Sequence, residues 1–253
     1  MFLLHMTRNG GRIGFSPGAN PPMPYKLLPD EIAVLFSAHV DNVGQHVASS
    51  SALVVEREMT DIEKEVLDAI NLARTKPLEI KKALEERMKL FDEDGNLCFE
   101  WGKVPTREGK AGYEQAIQFL DEQSPMQKLK ISSGMNAIAR TVSRSGGFRD
   151  SLQHATEKDI GKHGKASGYV EHIEYGPWES GLDFVLTLIV DDGNSDRNER
   201  NKMYQADLCV CGTCVAIHEE YGKTCVINFA TNFYELPSKA SSNGAKSMEI
   251  KSS

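Results

Sequence analysis

Two stretches near the end of the chain decide the fold: residues 207–218 read DLCVCGTCVAIH and residues 224–230 read TCVINFA. Both contain β-branched residues and partly alternate between apolar and polar positions, which is typical of strands in a sheet. The five residues between them, EEYGK, include a glycine and have the length of a hairpin loop. The sequence therefore predicts a β-hairpin near the end of the chain.

The segments before this hairpin have helical patterns. Thr60-Asp-Ile-Glu63 is a capping box, and the apolar residues that follow it recur at helical spacing. Thr75-Lys-Pro77 ends this helix and begins a second one. Further helices are predicted over residues 108–120, 133–144, 148–162 and 180–190. The predicted helices precede the predicted strands along the chain and do not alternate with them as in βαβ units. This order predicts the α+β class.

Composition excludes several classes of function. The 253 residues include 36 Asp and Glu against 29 Lys and Arg, so the formal charge is −7. This acidic balance, without a cluster of basic residues, argues against binding to nucleic acid. The apolar stretches are too short for the roughly 20 residues of a membrane-spanning helix, so no membrane span is expected. The start, Met1-Phe-Leu-Leu-His-Met6, lacks the pattern of a signal peptide, which predicts a cytoplasmic protein.

The cysteines raise the question of a metal or redox site. The chain has five, an odd number that does not describe a closed set of disulfides, and Cys209, Cys211, Cys214 and Cys225 lie close together in the sequence. Cys211-Gly-Thr-Cys214 has the spacing of a zinc or redox pair, with Cys209, Cys225 and His218 as further possible ligands. On a strand, however, Cys211 and Cys214 point to opposite faces unless a bulge at Gly212 intervenes, and a second Cys-x-x-Cys is missing. We therefore expect buried free thiols, and we expect His218 to be a residue of the hairpin edge.

Several segments between about residues 60 and 235 resemble the CAP superfamily (cysteine-rich secretory proteins, antigen 5 and plant pathogenesis-related proteins), in particular its protist-type and bacterial-type members. The first helix of the family resembles Ala69-Ile-Asn-Leu-Ala-Arg-Thr-Lys-Pro77, and an insertion of its protist members is similar to Thr106-Arg-Glu-Gly109 with Glu114–Leu120. The stretch of the family that ends in Gly-His-Arg resembles Leu186–Gly193 with Ser195–Arg200. The paired central strands of the family are similar to Gly212–Phe229. The resemblance implies an α-β-α sandwich with a small central antiparallel sheet.

The resemblance also implies a cavity built from two His and two Glu, a set of ligands that suits a divalent metal ion. In this chain the set is degraded, because Glu199 stands where the family has the His of Gly-His-Arg. His163, Glu179 and Glu199 are the remnants that the comparison of motifs suggests. We therefore predict no catalytic residue, no bound metal and no cofactor. The alternative is a metal-dependent hydrolase, or a protein that binds a small ligand or lipid in that cavity.

The chain is expected to have three parts: an irregular N-terminal extension over residues 1–58, a CAP-like domain over residues 59–236, and a polar C-terminal tail over residues 237–253. A degraded cavity, extensions on both sides and the absence of an export pattern together predict a non-catalytic intracellular module. Its partners would be proteins of a larger assembly, such as a microtubule-associated assembly of the cytoskeleton or the cilium.

Overall fold

The computed structural model describes residues 57–145 and 152–236. The helices, in chain order, are α1 (Asp61–Thr75), α2 (Pro77–Met88), α3 (Lys110–Glu122), α4 (Ser133–Ser143), α5 (Glu157–Gly161), α6 (Gly181–Val190) and α7 (Asn198–Met203). The strands are β1 (Asn96–Phe99), β2 (Gly102–Pro105), β3 (Lys130–Ile131), β4 (Gly164–Ser167), β5 (Val170–Gly176), β6 (Val210–His218), β7 (Gly222–Ala230) and β8 (Asn232–Glu235). Apart from Arg57 and Glu58, the predicted extension over residues 1–58 lies outside the described residues, and so does the predicted tail over residues 237–253.

The central sheet has four strands in the order β3-β6-β7-β5. The predicted hairpin is confirmed: β6 and β7 pair antiparallel, from Val210 opposite Ala230 to His218 opposite Gly222. Strand β5 pairs antiparallel with the other side of β7. The three long strands are antiparallel, as expected, and the two-residue strand β3 at one edge runs parallel to β6. Two separate ribbons are formed by β1 with β2 and by β4 with β8.

Helices cover both faces of this sheet, and the predicted α+β class is confirmed. The larger core lies between one face and helices α1, α2, α3 and α6, with Ile70, Leu84 and Phe184 fully buried. The smaller core lies under α4 on the opposite face, where Val142 packs with Ile173 of β5. Transfer of these apolar side chains out of water is the main force that holds the layers together.

The helix boundaries follow the capping signals, with one exception. At the start of α1 the Thr60 hydroxyl accepts a hydrogen bond from the Glu63 amide, and the Glu63 carboxylate accepts one from the Thr60 amide, as the capping box predicts. The helix predicted over residues 148–162 is confirmed only for Glu157–Gly161 in its described part. There Thr156 caps only the short helix α5, and residues 152–156 have no regular structure. Residues 148–151 lie outside the described ranges.

Side chains close the edge of β6 where β3 ends. The Thr213 amide donates to the Asn136 side-chain oxygen of α4 at 2.8 Å, and the Val215 amide donates to a carboxylate oxygen of Glu63 at 3.1 Å. Gly212 lies on β6 just before Thr213. It lets α4 approach closely, because a Cβ at this position would lie 2.3 Å from the α4 backbone. Buried backbone donors are therefore satisfied without another strand.

Candidate functional site

Strand β5 carries a concentration of ionisable side chains in the interior of the protein. Side chains alternate along a strand, so Glu171 points to the α4 face, whereas His172 and Glu174 point to the opposite face. Ile173 and Tyr175, which belong to the core under α4, fix this assignment. All three ionisable residues are buried. A strand with this composition needs partners for its charges on both faces.

The turn after α6 supplies such a partner from helix α7. Asp191 and Arg197 both adopt left-handed backbone angles, with φ of 53° and 50°, and the chain turns sharply between them. A carboxylate oxygen of Asp191 accepts hydrogen bonds from the amides of Glu199, at 2.9 Å, and Arg200, at 3.3 Å. These bonds satisfy the free amides at the start of α7. They hold Glu199 where its side chain reaches β5.

Four side chains form a buried ion-pair network, which we call the His172 group: His172, Glu174, Glu199 and Lys202. The imidazole Nδ1 lies 2.9 Å from Oε2 of Glu199, and Nε2 lies 3.3 Å from Oε2 of Glu174. The second oxygen of Glu199 accepts a hydrogen bond from the Lys202 ammonium at 2.7 Å. With the imidazole protonated, two positive charges balance two negative charges. Such a balance is what allows charges to remain inside a protein.

The electrostatics favour the charged form of both partners at the centre of this group. Burial by itself would lower the pKa of His172, but the hydrogen bonds and charges of Glu174 and Glu199 outweigh it and raise the pKa to about 9. Burial by itself would raise the pKa of Glu199, but His172 and Lys202 bring it to about 2. At neutral pH the pair is therefore an imidazolium and a carboxylate.

This arrangement restricts what the group can do chemically. A protonated imidazole has no lone pair, so His172 would have to lose a proton before it could bind a metal ion or act as a base. Each of its nitrogens also faces a carboxylate. Within residues 57–145 and 152–236, no group of three or more His, Cys, Asp or Glu side chains is arranged to hold a metal ion. The His172 group is thus an internal salt bridge between β5 and α7.

A second histidine–glutamate pair lies on the other face of β5. Nδ1 of His154 is 2.7 Å from Oε1 of Glu171, which also accepts a hydrogen bond from the Ala155 amide at 3.0 Å. The other carboxylate oxygen accepts a hydrogen bond from the Tyr169 hydroxyl at 2.9 Å. Nε2 of His154 is buried and has no hydrogen-bond partner among the residues that the structure describes. A carboxylate that orients an imidazole in this way leaves the second ring nitrogen available as a base or a ligand.

The three residues suggested as remnants of a cavity do not form one site. Glu199 lies in the His172 group, but His163 follows the end of α5 and Glu179 is exposed just before α6. In the described part of the chain neither of these two is hydrogen-bonded to Glu199. The pKa of His163 is lowered by its burial and next by the positive charge of Arg140. The sequence thus identified one of the four residues that the structure brings together.

The thiols behave as small apolar side chains, as the sequence predicts. All five cysteines are free, and Cys211, Cys214 and Cys225 are buried. Cys211 belongs to the larger core and Cys214 to the smaller one, so the two side chains lie on opposite faces of the sheet. Burial raises the pKa of the Cys211 thiol to about 12. These thiols are protonated and weakly reactive at neutral pH.

His218 also has a structural position at the end of β6. It is buried, and its Nδ1 accepts hydrogen bonds from the amides of Glu220 and Tyr221 at 3.2 and 3.3 Å. Its ring contacts those of Tyr175 and Tyr221. The expectation of a hairpin-edge residue is therefore confirmed, and His218 closes the turn between β6 and β7.

Comparison with protein-family models, curated proteins and solved structures finds no match to this chain. The resemblance to the CAP superfamily therefore stays a prediction from the motifs quoted above. Among the described helices, none has both the length and the apolar character needed to cross a membrane.

Proposed function

We propose that this chain is a non-catalytic structural or protein-interaction module with a CAP-like core. The observation that carries the proposal is the His172 group. Glu199, at the position where the family has a His, forms a salt bridge with His172 and Lys202. Both oxygens of Glu199 accept hydrogen bonds within this ion pair, one facing His172 and one from Lys202, which supports a structural role rather than metal binding.

Exposed apolar side chains support the interaction part of this proposal. Tyr234 and Leu236 are 70% and 54% exposed, and Ile131 is 41% exposed. They lie on neighbouring backbone segments, because Glu235 accepts a hydrogen bond from the Ser132 hydroxyl at 2.7 Å. Clusters of exposed apolar residues are typical of surfaces that bind other proteins. We call these three residues the β8 surface.

Three further parts of the proposal rest on the sequence alone. They are a cytoplasmic location, protein partners in a larger assembly, and a place for that assembly in the cytoskeleton or the cilium. An acidic chain is not attracted by its net charge to another acidic surface, so contact with a microtubule would require a third protein or a local basic region.

Two measurements on the full-length chain test the proposal. The purified protein is first loaded with zinc, dialysed and assayed for bound metal. We expect less than stoichiometric metal, and stoichiometric zinc that is lost on Glu199→Ala would contradict a purely structural role. The second measurement compares tagged wild type with Tyr234→Ser/Leu236→Ser in cells. We expect one defined complex to be lost in this variant and retained in Leu78→Ser, a matched exposed leucine on α2.

The alternative of a hydrolase or a small-ligand binder is favoured by one observation: Nε2 of His154 is buried and has no partner within residues 57–145 and 152–236. Glu171 would orient the ring and Nε2 would act as the base or the ligand. Zinc binding or ester hydrolysis that is lost in His154→Ala and retained in His163→Ala would support this alternative. Equal behaviour of the two variants would remove it.

A further inference from the structure

The outer edge of strand β6, on the side away from β7, is covered along only part of its length. The one described strand on this side is β3, which pairs with the first two residues of β6. Farther along, the Thr213 amide donates to the side chain of Asn136 at 2.8 Å. The Val215 amide donates to the carboxylate of Glu63 at 3.1 Å. From Val215 to the end of β6, no strand of the described ranges lies beside this edge.

The side chains on this open part of the edge are apolar and incompletely covered. Val215, Ala216 and Ile217 are half-buried, whereas their neighbours Cys214 and His218 are buried. Successive side chains of a strand point to opposite faces, so β6 is incompletely covered on both faces at this point. An open edge with apolar side chains is a template for pairing with another strand. The end of β6 can therefore accept one more strand.

Helix α1 brings the preceding chain to this open edge. Near the start of the helix, Glu63 binds the amide of Val215. Near its end, the Arg74 guanidinium donates to the carbonyl oxygen of Leu208, just before β6, at 3.5 Å. Helix α1 therefore runs antiparallel to β6, and its first turn lies nearest the open part. Arg57 precedes the helix and donates to both carboxylate oxygens of Glu63, at 2.6 and 3.1 Å, so the chain enters the domain beside the open edge.

The residues just before Arg57 have a sequence typical of a strand. They are Ala52-Leu-Val-Val55, with Ser49–Ser51 before them and Glu56 after them. A short apolar run between polar flanks is consistent with a strand that is buried on both faces, and valine favours strands. The run has the same length as Val215–His218, so the two stretches can pair from end to end. Residues 52–55 lie outside the described ranges.

We propose that Ala52–Val55 pairs with Val215–His218 as an additional strand on the outer edge of β6. The strand runs antiparallel to β6, because the chain must reach Arg57, beside the start of this stretch, from the end of it. The amides of Thr213 and Val215 point outward from β6, so that of Ile217 does too and is available to the added strand. Only Glu56 separates the segment from Arg57, and this short tether gives it a high effective concentration at the edge. The proposal does not depend on the function proposed above.

The test measures hydrogen–deuterium exchange of the full-length protein at a low and a high protein concentration. We expect the amide of Ile217 and alternate amides within Ala52–Val55 to exchange at least about tenfold more slowly than in an unstructured peptide, at both concentrations. Exchange of Ala52–Val55 at the rate of the free peptide would overturn the proposal. Protection of Ile217 that appears only at the high concentration, together with a dimer in light scattering, would assign the edge to a second copy of the chain and would overturn it as well.

Two double variants locate the effect. Val54→Asp/Val55→Asp places one charge on each face of the added strand, and we expect the Ile217 amide to exchange at least about tenfold faster in it than in wild type. The amide of Val226, in the central strand β7, should exchange as in wild type and show that the sheet is intact. The matched control is Val43→Asp/Val47→Asp, the same change farther from Arg57, which should leave Ile217 protected. Equal exchange of Ile217 in wild type and both variants would contradict the pairing.

Discussion

The substitution Glu199→Gln should reveal the energetic role of the His172 group. Glu199 has its pKa lowered from 4.5 to about 2, and its side chain is 1% exposed, so little of this shift is lost to screening by solvent. A shift of this size corresponds to about 3 kcal/mol of stability, which agrees with the cost of breaking a buried ion pair. The raised pKa of His172 reports the same ion pair, so no further free energy is added for it to the figure from Glu199. Glutamine keeps the shape and one acceptor, so the loss should be electrostatic.

The dependence on pH has a definite sign. The depressed pKa of Glu199 gives stability above pH 4.5 that is lost as the pH falls towards 2, and the raised pKa of His172 gives stability below pH 6.5 that is lost as the pH rises through about 9. Urea unfolding at pH 5.5 should therefore show the full difference of about 3 kcal/mol between wild type and Glu199→Gln. The difference should shrink towards pH 9.5, where His172 is neutral in the wild type.

The matched control for this experiment is Glu179→Gln, the same substitution at an exposed position. It should change the free energy of unfolding by no more than about 0.5 kcal/mol. If the two glutamine variants were equally stable at pH 5.5, or if the profile of Glu199→Gln ran parallel to that of wild type up to pH 9.5, the ion pair would contribute nothing. The reasoning on the His172 group would then be refuted.

Three other predictions concern packing, capping and the thiols. Gly212→Ala should cost at least about 2 kcal/mol, because its Cβ would overlap the α4 backbone, whereas Gly161→Ala, where nothing lies within 4 Å of the Cβ, should keep the melting temperature within a few degrees of wild type. Thr60→Ala removes the hydroxyl of the capping box and should lower the free energy of unfolding by about 1 kcal/mol; an unchanged urea midpoint would contradict the role of the cap. In the folded protein a thiol reagent should modify the partly exposed Cys98 and Cys209 first, and rapid modification of all five thiols by mass spectrometry would show that the core thiols are accessible.

The parts of the fold that were predictable depend on local signals. The hairpin of β6 and β7 has a loop of suitable length between two apolar stretches, and α1 begins with a capping box; both lie where the sequence places them. Strand β5 was missed, because Glu171, His172 and Glu174 replace the apolar residues that usually identify a buried strand. Its charges are tolerated only because α7 and the segment before α5 supply partners, and such partners are distant in the sequence.

The candidate site was less predictable than the fold for the same reason. Glu199 stood out because the predicted resemblance to the CAP superfamily places it at the position of a His, but nothing in the local sequence links it to His172, 27 residues earlier. The spacing of His172 and Glu174 is a usable signal in retrospect, since residues i and i+2 of a strand share a face. This signal can be used only if β5 is recognised as a strand, and the charged residues of β5 prevent that recognition.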